Sequence, residues 1–217
     1  MKKILLTILL CLWATVAFAA SISTLTDNFD DNSFDTSKWI LADGSVTETS
    51  QQLWFTTETD GSPDPEIHSK VTYDFTGASA SIKIIDAGNQ TLASFKFAFD
   101  IWKSDWSNNV GWAIQANVIH GETYDADTFR YLRIRESGGR TYLDYSSDGI
   151  TWTNHTSYAN LFDMTDVYVD IRCVSSAEAS STTAKVDDFN ILPSATAPTY
   201  SHAFNNGFGE GLDQGFN

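Results

Sequence analysis

Cysteine is nearly absent from this chain: Cys11 and Cys173 are the two that occur. Cys11 lies in an N-terminal run expected to be removed, so the remainder can form no intrachain disulfide. Cys173 continues the alternating series Val167, Val169, Ile171 and is read as a buried core residue. Basic residues are also few. Setting Lys2 and Lys3 aside with the same N-terminal run leaves 11 of the 13 Lys and Arg against 28 Asp and Glu, a net charge near −17. Such a charge argues against nucleic acid and anionic membrane surfaces as partners. The four histidines, His68, His120, His155 and His202, form no i, i+4 pair, which argues against a zinc site and a Ser-His-Asp triad. After residue 19 no apolar run is long enough for membrane insertion. Helical periodicity is almost missing.

What is there begins with an export signal. Lys2 and Lys3 precede the apolar run Ile4 to Val16, and Ala17-Phe18-Ala19 matches a small-x-small cleavage site. Residues 1–19 are read as a signal peptide, and the protein as exported, periplasmic or extracellular. Residues 20–193 are read as one domain, and residues 194–217 as a flexible Gly/Phe-rich tail. In the tail, Asn206-Gly207-Phe208, Glu210-Gly211-Leu212 and Gln214-Gly215-Phe216 recur at a fixed spacing. Three such units are too few to fold alone. They either end the chain in disorder or dock a protein partner through Phe204, Phe208, Leu212 and Phe216.

Between these ends the chain alternates. Ala93 to Lys103 puts Phe95, Phe97, Phe99 and Ile101 on one face and Lys96, Ala98, Asp100 and Trp102 on the other. Period two with aromatic and branched residues predicts a half-buried strand. Val110 to Ile119 alternates likewise, with Trp112, Ile114, Ala116 and Val118 on the apolar face. Pairing Ile101 with Trp112 sets Phe99 opposite Ile114, Phe97 opposite Ala116 and Phe95 opposite Val118. Ser137-Gly138-Gly139-Arg140 predicts a primed two-residue turn. That turn sets Ile134 opposite Leu143, Leu132 opposite Tyr145, Arg135 opposite Tyr142 and Arg133 opposite Asp144. Asp148-Gly149 marks another tight turn, bringing Tyr145 to Trp152 on the core side. Further strands are predicted over Val46–Thr49 and Gln52–Thr56 as a hairpin, and over Ile67–Phe75, Ser81–Ile85, Asp166–Val174 and Ala184–Leu192. So many short strands predict an all-β sandwich.

Taken together, the four strands from Ala93 to Trp152 share an outer face of Lys96, Asp100, Trp102, Gln115, Asn117, Tyr131, Arg133, Arg135, Tyr142 and Asp144. Flat rings beside amide, guanidinium and carboxylate groups suit sugar recognition: the ring packs on the C–H face of a pyranose and the polar groups meet its hydroxyls. Trp102, Gln115, Asn117, Tyr131, Arg133, Arg135, Tyr142 and Asp144 are therefore the candidate carbohydrate-binding residues. The competing reading is structural. In it Arg133 and Asp144 form an ordinary cross-strand ion pair and Tyr142 packs beneath Arg135.

A family resemblance lies near the N-terminus, in Asp27-Asn28-Phe29-Asp30-Asp31-Asn32-Ser33-Phe34-Asp35-Thr36-Ser37-Lys38-Trp39. Phe29, Phe34, Asp35 and Trp39 resemble the acidic-Phe strand and Asp-x-x-x-Trp turn that open the concanavalin A-like lectin/glucanase superfamily, especially laminarinase- and lichenase-type β-glucanases. The hairpin that follows in those proteins is matched by Val46–Thr56, with Ser50-Gln51 in place of glycines. The resemblance implies a jelly roll of two antiparallel sheets. It also implies a structural Ca2+ held by an aspartate of the last strand, here Asp187, with a carbonyl from Gly44. An acidic exported chain suits a hard cation. Those glucanases carry Glu-x-Asp-x-(x)-Glu on one strand, and that spacing does not occur here. Asp166 and Asp170 share a face without a glutamate partner, and Asp100 and Asp144 have no second carboxylate at i+2. Catalysis of that kind is not expected. The expectation is an exported, non-catalytic, lectin-like module that binds a glycan or polysaccharide. The alternatives are a structural or adhesive surface protein docking a partner through its tail, and a divergent glycoside hydrolase.

Overall fold

The computed structural model describes residues 19–58, 64–175 and 181–194. The predicted signal peptide, but for Ala19, and the tail beyond Ser194 lie outside the described residues. The first half of the chain supplies β1 (Ala20–Ser21), β2 (Trp39–Asp43), β3 (Ser45–Thr49), β4 (Gln52–Thr56), β5 (Glu66–Ser69), β6 (Tyr73–Asp74), β7 (Ser79–Asp86) and β8 (Lys96–Lys103). The second supplies β9 (Asn109–Gln115), β10 (Val118–Ile119), β11 (Glu122–Thr123), β12 (Tyr131–Ser137), β13 (Arg140–Ser146), β14 (Thr153–Ala159), β15 (Val167–Val174) and β16 (Thr183–Asp187).

These strands form two sheets. The first runs β1-β6-β15-β8-β9-β10-β11, with β5 also on β15 and β2 on β5. The second runs β14-β13-β12-β7-β16-β4-β3. Pairing is antiparallel except where the short β1 lies parallel to β6, a departure from the purely antiparallel expectation. Period-two burial builds the core between the sheets. Phe97, Phe99 and Ile101 of β8, Trp112 and Ile114 of β9, and Val167, Val169, Ile171 and Cys173 of β15 all point inward and are fully buried. Each such aliphatic or Phe side chain contributes about 1.5–3 kcal/mol.

The Asp-x-x-x-Trp motif acts as an anchor. The Asp35 carbonyl accepts from the Lys38 and Trp39 amides, and its carboxylate accepts from the Ser37 amide at 2.8 Å. This turn delivers Trp39 into the core, edge-on to Phe189 with ring centres 5.0 Å apart. The Trp39 indole Nε1 donates to the buried carboxylate of Asp27 at 2.9 Å. Asp27 and Phe189 exchange backbone hydrogen bonds, so one motif ties the N-terminal segment to the last strand region.

Two registers differ from expectation. In the β8–β9 hairpin Ile101 faces Val110, Phe99 faces Trp112 and Phe97 faces Ile114. The predicted register is two residues off, which preserves every face and so is invisible to alternation. The loop decides it: Lys103 N–H donates to the Asn108 carbonyl, and Asp105 accepts from the Ser107 amide at 3.0 Å, closing a tighter turn. The second difference reverses a face. Ala116 and Asn117 both have positive φ, 52° and 61°, as a primed two-residue turn requires. The chain folds back there, so Ile119 faces Ile114 in the core and Val118 is 44 % exposed. The Ser137–Arg140 hairpin has every predicted partner. Tyr145, however, faces Thr153, and Trp152 lies on the outer face beneath Arg133.

Trp39→Ala is expected to cost about 3–5 kcal/mol by opening the core. Asp27→Ala, which strands a buried indole N–H, should cost about 1–3 kcal/mol. Urea midpoints at unchanged slope would read both.

Candidate functional site

The residues predicted to share one binding face do not share it. Trp102 and Gln115 lie on the outer face of the first sheet, and Asn117 occupies the turn after β9. Tyr131, Arg133, Arg135, Tyr142 and Asp144 lie on the outer face of the second sheet, on the opposite side of the sandwich. The reason is a crossing: after Thr123, the end of β11, the chain passes to the other sheet, where β12 pairs with β7. Lys96 and Asp100 stay with Trp102 on the first sheet.

The second-sheet group satisfies itself. Asp144 Oδ2 accepts from Arg133 Nε and Nη2 at 3.1 and 2.8 Å and from Arg135 Nε at 3.0 Å. Its Oδ1 accepts from Asn154 Nδ2 at 2.9 Å. Burial works against the Asp144 charge, but Asn154 and the two arginines outweigh it and hold the carboxyl below its ordinary value. The guanidiniums of Arg133 and Arg135 lie 4.1 and 4.2 Å over the rings of Trp152 and Tyr142, covering those faces. Tyr131 is buried beside them.

Asp187 and Gly44, expected to share a calcium ion, are at opposite ends of β16. Gly44 precedes β3 at the Thr56–Thr183 end, whereas Asp187 ends the strand. The Lys83 ammonium sits where a cation would, 2.9 Å from Asp187 and 3.0 Å from Asp188. These residues do not fit the metal. Among the described residues no group of three or more His, Cys, Asp or Glu is arranged to hold one.

A different constellation lies on the first sheet, where β5, β15, β8 and β9 are consecutive neighbours. One row across their outer faces reads His68, Asp170, Asp100, Gly111. The next reads Glu66, Arg172, Ala98, Ala113. On the other side of the first row, Tyr168 faces Trp102. The β8–β9 turn folds Trp106 over this end, with ring centres 5.0 Å from Tyr168 and nearly parallel, 5.1 Å from His68 and 5.6 Å from Trp102. Trp106 holds a φ of 59° and is 39 % exposed. A bulky residue in the left-handed region is strained, and such strain collects at ligand clamps. None of Glu66, His68, Trp106, Tyr168, Asp170 and Arg172 is among the residues expected to bind, although His68 and Asp170 are weighed for metal and catalytic roles. Only the outward positions of the predicted Asp166–Val174 strand could have pointed to any of them.

A polar cleft of about 400 Å3 opens elsewhere, lined by Ser21, Ser23, Thr76, Ser79, Arg135 and Ser137. None of its lining residues carries a buried polar atom without a partner. The first-sheet face carries several: both Asp170 carboxylate oxygens, Arg172 Nε and Trp102 Nε1.

No protein-family model matches the chain, and no curated protein matches its sequence. Solved structures do. A β-1,3-1,4-glucanase (lichenase) derived from a mouse hindgut metagenome aligns with a TM-score of 0.58 at 10 % identity, over 76 % of this chain and 96 % of its own. A pseudo β-1,3-glucanase of Mycobacterium tuberculosis gives 0.55 at 13 % identity, over 78 % and 98 %. A family 16 glycoside hydrolase from Bacteroides ovatus, in complex with a G4G4G3G product, gives 0.54 at 10 % identity, over 76 % and 98 %. The fold is the concanavalin A-like jelly roll.

In this jelly roll the first-sheet carboxyls are electrostatically frustrated. Asp170 is fully buried and Asp100 is 5 % exposed. Burial pushes the Asp170 carboxyl well above the ordinary range; Arg172 opposes this, while Glu66 and Asp100 add to it. Burial also raises Asp100, against Arg172, Asn109 and Lys96. Arg172 Nη2 donates to Asp100 at 3.1 Å, and its Nη1 stands 3.5 Å from Asp170, an ion-pair distance without hydrogen-bond geometry. With both groups ionised, Asp170 therefore has no donor. With one proton between them, Glu66 becomes its partner.

This has a sign in stability. Asp170 holds its proton in the folded state where the unfolded chain, titrating near 3.8, has lost it. Its contribution thus falls as pH rises above that value. Asp170→Asn removes the titration. The stability of that variant relative to the native protein is expected to improve as pH rises above about 4 in urea unfolding; a flat or opposite difference would refute the assignment.

Proposed function

We propose that this protein is an exported, non-catalytic glycan-binding module whose site is the outer face of β5, β15, β8 and β9. The observation that carries the reading is the aromatic group Trp102, Trp106, Tyr168 and His68 set directly beside unpaired buried polar atoms. Exposed indole offers a surface to the C–H face of a pyranose, and Asp100, Glu66, Arg172 and Asn109 offer partners to its hydroxyls. The polysaccharide chemistry in the names of the similar structures, β-1,3-1,4-glucan and β-1,3-glucan, supplies the first ligands to try. Absence of the Glu-x-Asp-x-Glu strand supports binding without cleavage. Residues 1–19 supply the export route.

One observation favours a second reading, a divergent hydrolase. Asp100 and Asp170 stand directly opposite on adjacent strands, a spacing within reach of a carboxylate pair. Full burial of Asp170 keeps it from substrate and makes this the weaker reading. Release of reducing ends from a β-glucan, abolished in Asp100→Asn, would establish it.

Trp106→Ala and Trp102→Ala are each expected to weaken glycan binding about tenfold, the loss of one stacking contact. Tyr142→Ala, on the other sheet, should leave it unchanged. A glycan array followed by titration of the positive ligands would check this. Loss of binding in Tyr142→Ala alone would move the site across the sandwich.

A further inference from the structure

The carboxyl cluster under the aromatic group has more negative charge than it can neutralise. Glu66, Asp100 and Asp170 face it, with Arg172 the one cation among the two central rows. Arg172 is committed to Asp100 by hydrogen bond and lies 5.0 Å over the Trp102 ring. It leaves Asp170, which has no exposed surface, without a donor to either oxygen. A buried acceptor in that state costs free energy until something donates to it. Beside it the floor is bare. Ala98, Gly111 and Ala113 put nothing larger than a methyl on the outer face, and a Cβ at Gly111 would fall 2.5 Å from Asp100 Oδ1 and against the Phe99 carbonyl. Gly111 thus lets the Asp100 carboxylate edge lie directly against the β9 backbone, where any side chain would displace it.

We propose that this site selects an amino sugar, a pyranose whose free ammonium enters between Asp100 and Glu66 above Asp170 while its ring lies against Trp102 and Trp106. The inference rests on the glycan-binding reading above and adds the substrate class. A neutral sugar supplies donors but no charge. An N-acetyl group adds bulk and a neutral amide. An ammonium supplies three donors and the missing positive charge, where charge-assisted hydrogen bonds are roughly twice as strong as neutral ones. Its aromatic neighbours add cation–π attraction. The charged or titratable groups facing the site are Glu66 and His68 from β5, Tyr168, Asp170 and Arg172 from β15, and Lys96 and Asp100 from β8. Burial first, and then repulsion from Glu66 and Asp100, keeps a proton on Asp170, and entry of a cation offsets both. Binding thus releases a proton, and affinity falls as pH is lowered.

The test is isothermal titration of the exported protein with three oligosaccharides of equal length: glucosamine, N-acetylglucosamine and β-glucose oligomers. Oligolysine serves as a control for the acidic surface. The glucosamine oligomer is expected to bind about tenfold or more tighter than the other two. Titration in buffers of different ionisation enthalpy is expected to show net proton release for that oligomer alone. Asp170→Asn should erase the preference and leave neutral binding in place; the native proton count stands even if that variant fails to fold. Equal affinity for all three sugars, or oligolysine bound as tightly as glucosamine oligomer, would overturn the amine selectivity and leave the glycan reading intact. Binding of none of the sugars would overturn both.

Discussion

Burial of one side of β15 dictates the rest. Val167, Val169, Ile171 and Cys173 are all fully buried against the second sheet. With about 1.5–3 kcal/mol for each aliphatic side chain, the strand cannot rotate without forfeiting most of the local core. Tyr168, Asp170 and Arg172 must then point the other way. A buried ion would cost several kcal/mol. The chain lowers that cost by keeping a proton on Asp170 and setting Arg172 within 3.5 Å of it. A frustrated carboxyl is thus the direct consequence of a well-formed hydrophobic face.

The two outer faces show what frustration signifies. On the second sheet, Asp144 is nearly as buried as Asp170, yet every oxygen has donors and both arginines rest on aromatic rings. That face resembles a closed polar network, which adds rigidity and leaves nothing for a ligand to complete. On the first sheet a similar inventory of residues is left incomplete, beside a floor without side chains and an exposed indole on a strained turn. Composition alone does not distinguish the two. Both faces carry Trp or Tyr, Arg and Asp. The difference is whether donors and acceptors have already found one another.

The turns explain where reading by pattern succeeded and failed. Gly138-Gly139 announces its own geometry, and the hairpin around it pairs as residue spacing requires. Ala116-Asn117 and Ser50-Gln51 take the same positive-φ conformation without glycine, held there by the strands on either side. Trp106 does so because Asp105 gathers the turn and Tyr168 receives the ring. None of these has a glycine or proline to announce the reversal. The predicted strand over Val110–Ile119 therefore ran through a turn, and Val118 was placed in the core in place of Ile119.

By itself the sequence determined the all-β class, the inward set Phe95, Phe97, Phe99 and Ile101, the Trp39 anchor and the Ser137–Arg140 hairpin, because each is written in neighbours a few residues apart. The tertiary structure decided which sheet each hairpin joins, and with it which polar residues meet. Asp100 and Arg172, 72 residues apart in the chain, touch only because β15 inserts between β5 and β8. Alternation states which way a side chain points but not which strand lies beside it. Partner choice depends on how all the apolar faces pack at once, and that is a property of the whole chain.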